Sequence, residues 1–359
     1  MTAGSGVASV LFTGYAPVHF VCFHPIFDAL SRSPRYTVHV SGGLETSGPD
    51  GPAYDARGLY DRFRLPDGAV LDTVEIAERS FDLVFSASTR FIAPRESGRT
   101  IQIFHGLSFR NRAARAENAG YDAYFLLGPY QRKLFARLGI FAEDDSRLHS
   151  IGFPKTDRLV GDRVDRRATL RALGLSGARP IVLYAPTGAT GNSLETVGER
   201  LIRAIVAMGT VDLLVKPHDH PKSRLDWLSR LAAGEGDRMR IVRDADIVPS
   251  LALADVLVTD ASSAANEFTL RDLPIVFVDV PELLERAQRE DGRLDLDTWG
   301  RRGGIVVSTP GEAVAAIEAS LESPSALSEI RRAMRDDLFY NQGSATQAAL
   351  EWIGEASRG

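Results

Sequence analysis

Cysteine occurs once in the 359 residues, at Cys22, so no disulfide can close within the chain and the composition fits a reducing compartment. A lone cysteine among apolar neighbours reads as a small buried hydrophobe. Long apolar runs are missing too, and none approaches the roughly 20 residues that a bilayer-spanning helix needs. There is no basic excess: Lys and Arg number 42 against 47 Asp and Glu, a net charge of -5. A general nucleic-acid surface is thereby excluded, and any positive patch must be local. The opening "MTAGSGVASVLFTG" lacks the charged start of a secretory signal and reads as a loop entering a strand. The expected location is the cytoplasm, with peripheral contact at the inner face of a membrane left open. Glycine fingerprints are lacking as well: "GSG" near residue 5 and "SGG" at 41–43 complete neither a phosphate-binding P-loop nor a G-x-G-x-x-G turn. No repeat or low-complexity tract occurs.

What is present is an ordinary globular composition, 44% hydrophobic and 25% charged, long enough for two domains that each bury a core. Short apolar runs alternate with amphipathic stretches. Strands are expected at "ASVLFTG", "YTVHVSG", "DLVFSAS", "TIQIFHG", "AYFLLG" and "LHSIGF", then at "PIVLYAPT", "VDLLVKPH", "MRIVRD", "DVLVTD", "PIVFVD" and "GIVVS". Helical spacing of three and four marks "PYQRKLFARLG", "SLETVGERLIRAIVAMG" and "EAVAAIEASLES". Such alternation predicts an α/β fold of two facing, doubly wound domains, with ligands in an interdomain cleft beyond the carboxyl ends of the strands. A charged, strand-free segment around "GFPKTDRLVGDRVDRR" places the boundary near residue 158. The expected domains are 1–158 on the acceptor side, 159–338 on the nucleotide side, and 339–359 as a last helix able to pack back on the first.

Polar chemistry gathers where these strands end. "TIQIF" runs into His105 and Gly106, with Arg110, Arg112 and Arg115 close behind. "IVLYAPT" ends at Thr187 and a glycine-rich loop, "DLLVK" at Lys216-Pro217-His218-Asp219-His220, and "DVLVT" at Asp260, Ser262 and Ser263 before a helix carrying Glu267. A serine pair at a helix start can cap the free N–H groups there, or can hold a phosphate with them. Lys216 and His218, two apart, are expected on one face and suit a diphosphate, unless Pro217 merely marks a surface turn. Glu267, one turn beyond the serines, is placed to accept from ribose hydroxyls, or else is an early acidic residue favoured by the helix dipole. An imidazole at His105 can take a proton from an acceptor hydroxyl, with the arginines binding an acceptor phosphate. The plainer reading is a histidine capping a strand beside a solvated arginine face.

Of the seven histidines, His39 and His149 sit inside strand patterns and read as structural. His19 and His24 are ill-spaced for a shared metal, and His218 with His220 lacks further ligands at a zinc spacing. Asp244 and Asp246 read as a helix cap rather than a metal motif. No protein-bound metal and no cofactor is expected.

Together "FHG" at 104–106, "GFPKTD" at 152–157, "YAPT" at 184–187 with "KPH" at 216–218, and "DVLVTDASSAANEF" at 255–268 resemble the CDP-glycerol glycerophosphotransferase family of teichoic acid and capsule polymer synthesis. The ending "GSATQAALEWI" is similar to that family's closing helix. The likeness runs from about residue 99 onwards. It implies a glycosyltransferase-B-like fold of two Rossmann-like domains and metal-free transfer of a polyol phosphate from a CDP-activated donor to an acceptor hydroxyl. By the same resemblance His105 is the catalytic base and His218 a catalytic, donor-phosphate histidine. Thr187, Lys216, His218, Asp260, Ser262, Ser263 and Glu267 are then expected on the donor, and Gly106, Arg110 and Arg112 on a polyol-phosphate, lipid-linked or polysaccharide acceptor. Two departures stand out: the family commonly has an aromatic and an arginine after "APT", where this chain has Gly188-Ala189-Thr190, and it reads "KPHDH" instead of "KPHP". The alternatives are a glycosyltransferase of the same fold using a CMP- or UDP-sugar, a non-hydrolysing sugar-nucleotide 2-epimerase, and a non-catalytic nucleotide-binding module.

Overall fold

The structure is a computed structural model that describes residues 7–48, 51–87, 93–161, 163–218 and 226–357. The chain divides into two compact units, Met1–His105 with Ala113–Asp157 and Phe339–Gly359, and Gly106–Arg112 with Arg158–Leu338.

The first unit is built on β1 (Ala8–Gly14), β2 (Tyr36–Gly42), β3 (Leu44–Gly48), β4 (Gly51–Asp55), β5 (Ser80–Ser86), β6 (Glu96–Ile103), β7 (Ala123–Leu126) and β8 (Leu148–Ser150). Six of these form a parallel sheet in the order β2-β1-β5-β6-β7-β8. Val10 stands opposite both Val38 and Leu83, and Ile101 opposite Ala123, so apolar residues meet across every central ladder. Such runs stay apolar because helices cover both faces of a parallel sheet. The core stacks Phe12 between Phe23 and Phe85, each ring centroid 4.8 Å away. Cys22 is fully buried in the helix Pro17–Ser31, where its thiol donates to the Val18 carbonyl.

The last helix, Ala345–Ala356, completes this core with Ala349 and Ile353, both fully buried. Trp352 sets its ring edge-on to Phe125 at 5.0 Å and lies 5.1 Å from the His149 ring. Asp157 closes the helix start by accepting from the Ala345 and Thr346 N–H groups at 2.9 and 2.8 Å.

The antiparallel pair β3–β4 is absent from the sequence reading. Its residues, "LETSG" and "GPAYD", carry no apolar alternation that would announce a strand.

The second unit holds β9 (Ile181–Tyr184), β10 (Asp212–Val215), β11 (Met239–Ile241), β12 (Val256–Thr259), β13 (Ile275–Val278) and β14 (Ile305–Val307), all parallel, in the order β11-β10-β9-β12-β13-β14. Counted within the unit this is the 3-2-1-4-5-6 order of dinucleotide-binding sheets. β9, β10, β12 and β13 are buried along their whole length, which is why they read as unbroken apolar runs. One difference from expectation lies in "SLETVGERL", where a π-helical stretch, Leu194–Gly198, precedes the α-helix Glu199–Ala207.

Candidate active site

Open α/β sheets bind ligands beyond the carboxyl ends of the strands, where the strand order reverses. In the second unit that reversal falls between β9 and β12. The loops leaving those strands are tied together by Asp260, whose residue is 1% exposed. Its Oδ1 accepts from the backbone N–H of Thr187 at 2.8 Å and of Ala261 at 2.6 Å. Its Oδ2 accepts from the Ser193 N–H at 2.9 Å and the Ser193 hydroxyl at 2.8 Å. The Ser193 hydrogen is thus spent, so the Tyr184 hydroxyl, 2.8 Å from Ser193 Oγ, must be the donor of that pair. Burial, and then the Asp260 charge, hold the Tyr184 pKa well above the usual tyrosine value, so it remains neutral. The sequence reading counts Asp260 among the donor contacts. In the structure both of its oxygens accept from protein groups, which ties the two loops together.

Thr187 is 4% exposed, and its Oγ1 accepts from Arg110 Nη2 at 3.1 Å. The neighbouring Gly188 explains one departure from the family pattern. A Cβ at that position would lie 2.7 Å from Cγ and Nδ1 of His218, so the imidazole occupies the space a larger residue would need. His218 is exposed, whereas Lys216 is buried at 6%. β10 ends at Val215, one residue before Lys216, whose N–H still donates to the Tyr184 carbonyl of β9 at 2.9 Å, and Pro217 follows. Asp219 and His220 lie outside the described residues.

Ser262 and Ser263 are half-buried at the start of the helix Ala264–Phe268. Ser262 Oγ accepts from the Ala264 N–H at 3.3 Å, and Ser263 makes no side-chain cap. That helix has five residues before it tightens into the 3₁₀ turn Thr269–Arg271, too short for a large macrodipole. Anion binding here would rest on the hydroxyls and local N–H groups.

The segment after His105 is expected on the acceptor side, but Gly106–Arg112 packs in the second unit. Gly106 has φ +138°, and a Cβ on it would fall 2.9 Å from Ser263 Oγ and 3.9 Å from Glu267 Oε1. Only glycine serves there, for both conformation and space. Asn266 Nδ2 donates to the Leu107 carbonyl at 2.7 Å, and Phe109 packs with Ala261, Val280, Leu283 and Leu284. Arg110 and Arg112 therefore lie with the loops of the second unit, Arg112 being exposed. Glu267 is 2% exposed beside Gly106, so it is enclosed by protein instead of standing on an open helix face.

In the first unit, His105 follows β6 and is an exposed residue whose ring is partly enclosed by protein atoms. Its Nδ1 lies 2.6 Å from the Ala87 carbonyl oxygen. A carbonyl only accepts, so Nδ1 carries the hydrogen and Nε2 the lone pair. Crowding by protein atoms is the main cause that lowers its pKa; the Ala87 bond opposes this and the Lys155 charge adds to it. The result is a neutral imidazole with a basic Nε2 at neutral pH.

His39 and His149 lie in β2 and β8, each with its pKa lowered chiefly by burial. Asp246 accepts from the Val248 N–H at 2.9 Å, at the start of the helix Val248–Leu253, and also pairs with Arg158. Among the described residues no group of three or more His, Cys, Asp or Glu side chains is placed to hold a metal ion.

Two parallel six-stranded sheets, each with polar groups gathered where its strands end, define the class as a two-domain α/β protein. The chain belongs to the CDP-glycerol:poly(glycerophosphate) glycerophosphotransferase family, whose sequence model matches residues 75–353, and it is an enzyme of that transferase class. Solved structures agree in fold. The wall teichoic acid polymerase TagF is 16% identical, covering 97% of this chain and 88% of that one, with a TM-score of 0.71. A TagF histidine variant is 14% identical over 99% of this chain and 91% of its own, with a TM-score of 0.72. The UDP-GlcNAc 2-epimerase of Neisseria meningitidis, bound to UDP-GlcNAc, is 11% identical over 97% and 100%, with a TM-score of 0.58. No curated protein sequence matches the chain significantly. No helix among the described residues is long and apolar enough to cross a membrane.

Three groups escape the sequence reading: Ser193 as the second anchor of Asp260, Asn266 as the clamp on Leu107, and His19 beside His105. Only Asn266 carries a local signal, standing within "ASSAANEF". The others are brought in by topology.

Proposed function

We propose that this chain transfers glycerol phosphate from CDP-glycerol to a hydroxyl of a poly(glycerophosphate)-type acceptor, with His105 as the general base. The observation that carries the reading is the Nδ1–H bond from His105 to the Ala87 carbonyl at 2.6 Å, which leaves Nε2 to take the hydroxyl proton. Family membership supplies the donor and the acceptor class. A TagF structure soaked with CDPG is among those that share the fold.

On this reading the donor diphosphate is held by Lys216, His218, Ser262 and Ser263, with Thr187 and Arg110 closing over it. Arg112 joins the donor side through Gly106–Arg112, and Glu267 takes the ribose hydroxyls. Chain continuity supports the pairing of base and donor, since His105 is one residue from the glycine that lies against Ser263. The epimerase reading is weaker. It needs carboxylates available to the sugar, and Asp260 already accepts from four protein donors.

The test is turnover of CDP-glycerol by His105→Ala. Loss of the base should lower kcat by about a hundredfold or more while leaving donor affinity near wild type. A variant that kept most of its turnover would remove His105 from the chemistry.

A further inference from the structure

The first sheet has its own reversal of strand order, between β1 and β5. The loop leaving β1 runs from Gly14 into the helix Pro17–Ser31, whose first turn carries His19. A Cβ at Gly14 would lie 2.7 Å from His19 Cβ, so the glycine is what lets the imidazole seat there. The His19 ring centroid is 4.7 Å from that of His105, the planes inclined by 50°. The two rings stand at the ends of different strands, β1 and β6, both beyond the carboxyl edge of one sheet.

Their hydrogen-bond partners set opposite tautomers. His19 Nδ1 lies 3.0 Å from the Tyr15 backbone N–H, which can only donate. That nitrogen is therefore the acceptor, and the ring hydrogen sits on Nε2. His105 is the reverse, with the hydrogen on Nδ1 and the lone pair on Nε2. Side by side, one ring carries its hydrogen on Nε2 and the other its lone pair there. Lys155 lies near enough for its charge to lower the His105 pKa; it is 3% exposed, with Nζ 5.4 Å from the centre of the Phe153 ring.

We propose that His19 is a further substrate-contacting residue: its Nε2–H donates to a phosphate oxygen of the acceptor and so aims the neighbouring hydroxyl at His105 Nε2. The inference rests on the reading of His105 as base. In the transfer step the acceptor oxygen forms the new bond to phosphorus of the glycerol phosphate group. The bond from that phosphorus to the CMP oxygen breaks, CMP leaves with the electron pair, and the hydroxyl proton passes to His105 Nε2. His19 transfers no proton; it holds the acceptor.

The probe is glycerol 3-phosphate, whose phosphate and hydroxyls copy one acceptor unit. Its binding to the full chain is measured by titration calorimetry, without donor, for wild type, His19→Phe, His19→Gln and His105→Ala. His19→Phe keeps the ring packing and loses the donor, and should weaken binding about tenfold or more. His19→Gln keeps an N–H at similar reach and should restore most of the affinity, while His105→Ala loses only the contact to the hydroxyl and should weaken binding less than His19→Phe does. Thermal melts check that each variant is folded. Equal affinity in wild type and His19→Phe, or no binding by wild type, overturns the proposal. Turnover of CDP-glycerol is measured separately on the same proteins, so a failure of the base reading shows there and leaves the binding result to stand or fall alone.

Discussion

Asp260→Asn removes one charge and one acceptor from a buried carboxylate that accepts four hydrogen bonds. The amide has two orientations. With its NH₂ towards Thr187 and Ala261 it faces two backbone donors, so the favoured orientation turns it towards Ser193. There the Ser193 hydroxyl can rotate to accept, but the Ser193 N–H, at 2.9 Å in the wild type, faces another donor. One charge-assisted bond is lost outright, worth about 1.5–3 kcal/mol, and the others fall to neutral strength. Release from burying a charge offsets part of this, leaving a loss of about 3 kcal/mol. For a unit of this size that is a fall in Tm of about 6–12 °C. Calorimetric melting of both proteins measures it, and nucleotide affinity on the folded variant should drop as the two loops loosen. A shift below about 2 °C would refute the reasoning, because four donors would then not depend on the charge.

Gly188→Ala puts a methyl 2.7 Å from the His218 ring, which is exposed and must swing aside. Stability should stay within about 0.5 kcal/mol while CDP-glycerol affinity falls several-fold, read by calorimetry; unchanged affinity would detach His218 from the donor. The pH dependence of kcat/KM reports the free-enzyme base. Since crowding and the Lys155 charge lower the His105 pKa from 6.5, the acid limb should lie below pH 6.5. Removing the charge with Lys155→Met should move that limb to higher pH, and a limb that stays in place would exclude Lys155 as an electrostatic neighbour.

The parallel strands were legible because burial on both faces demands uninterrupted apolar residues, as in "IVLY" and "IVFV". The polar pair β3–β4 had no such demand on it and left no trace. At the site, Thr187, Lys216 and Asp260 could be read because each follows a buried strand. Their bonding could not: Asp260 lies 73 residues from Thr187 and 67 from Ser193, and only the order of the sheet joins them. His19 stayed hidden for the same reason, since spacing along its own helix says nothing of a strand end that enters later. That Gly106–Arg112 packs with the second unit was not legible either, because sequence continuity with β6 is no guide to which core a loop packs against.

The last helix has a consequence for biosynthesis. Ala349 and Ile353 fill the first core, and Asp157 waits for the Ala345 and Thr346 N–H groups, yet the whole stretch Arg158–Leu338 is made in between. At ~5–20 residues per second the ribosome needs on the order of ten to forty seconds to cross that stretch. During that interval the second unit can collapse on its own β9–β14 sheet, while the first still shows water the apolar surface that Ile353 will cover. The usual order, in which the earlier unit folds first, is thereby inverted between these two: the unit whose strands emerge before Arg158 completes its core after Leu338 has been made, and it is the one a chaperone would find open.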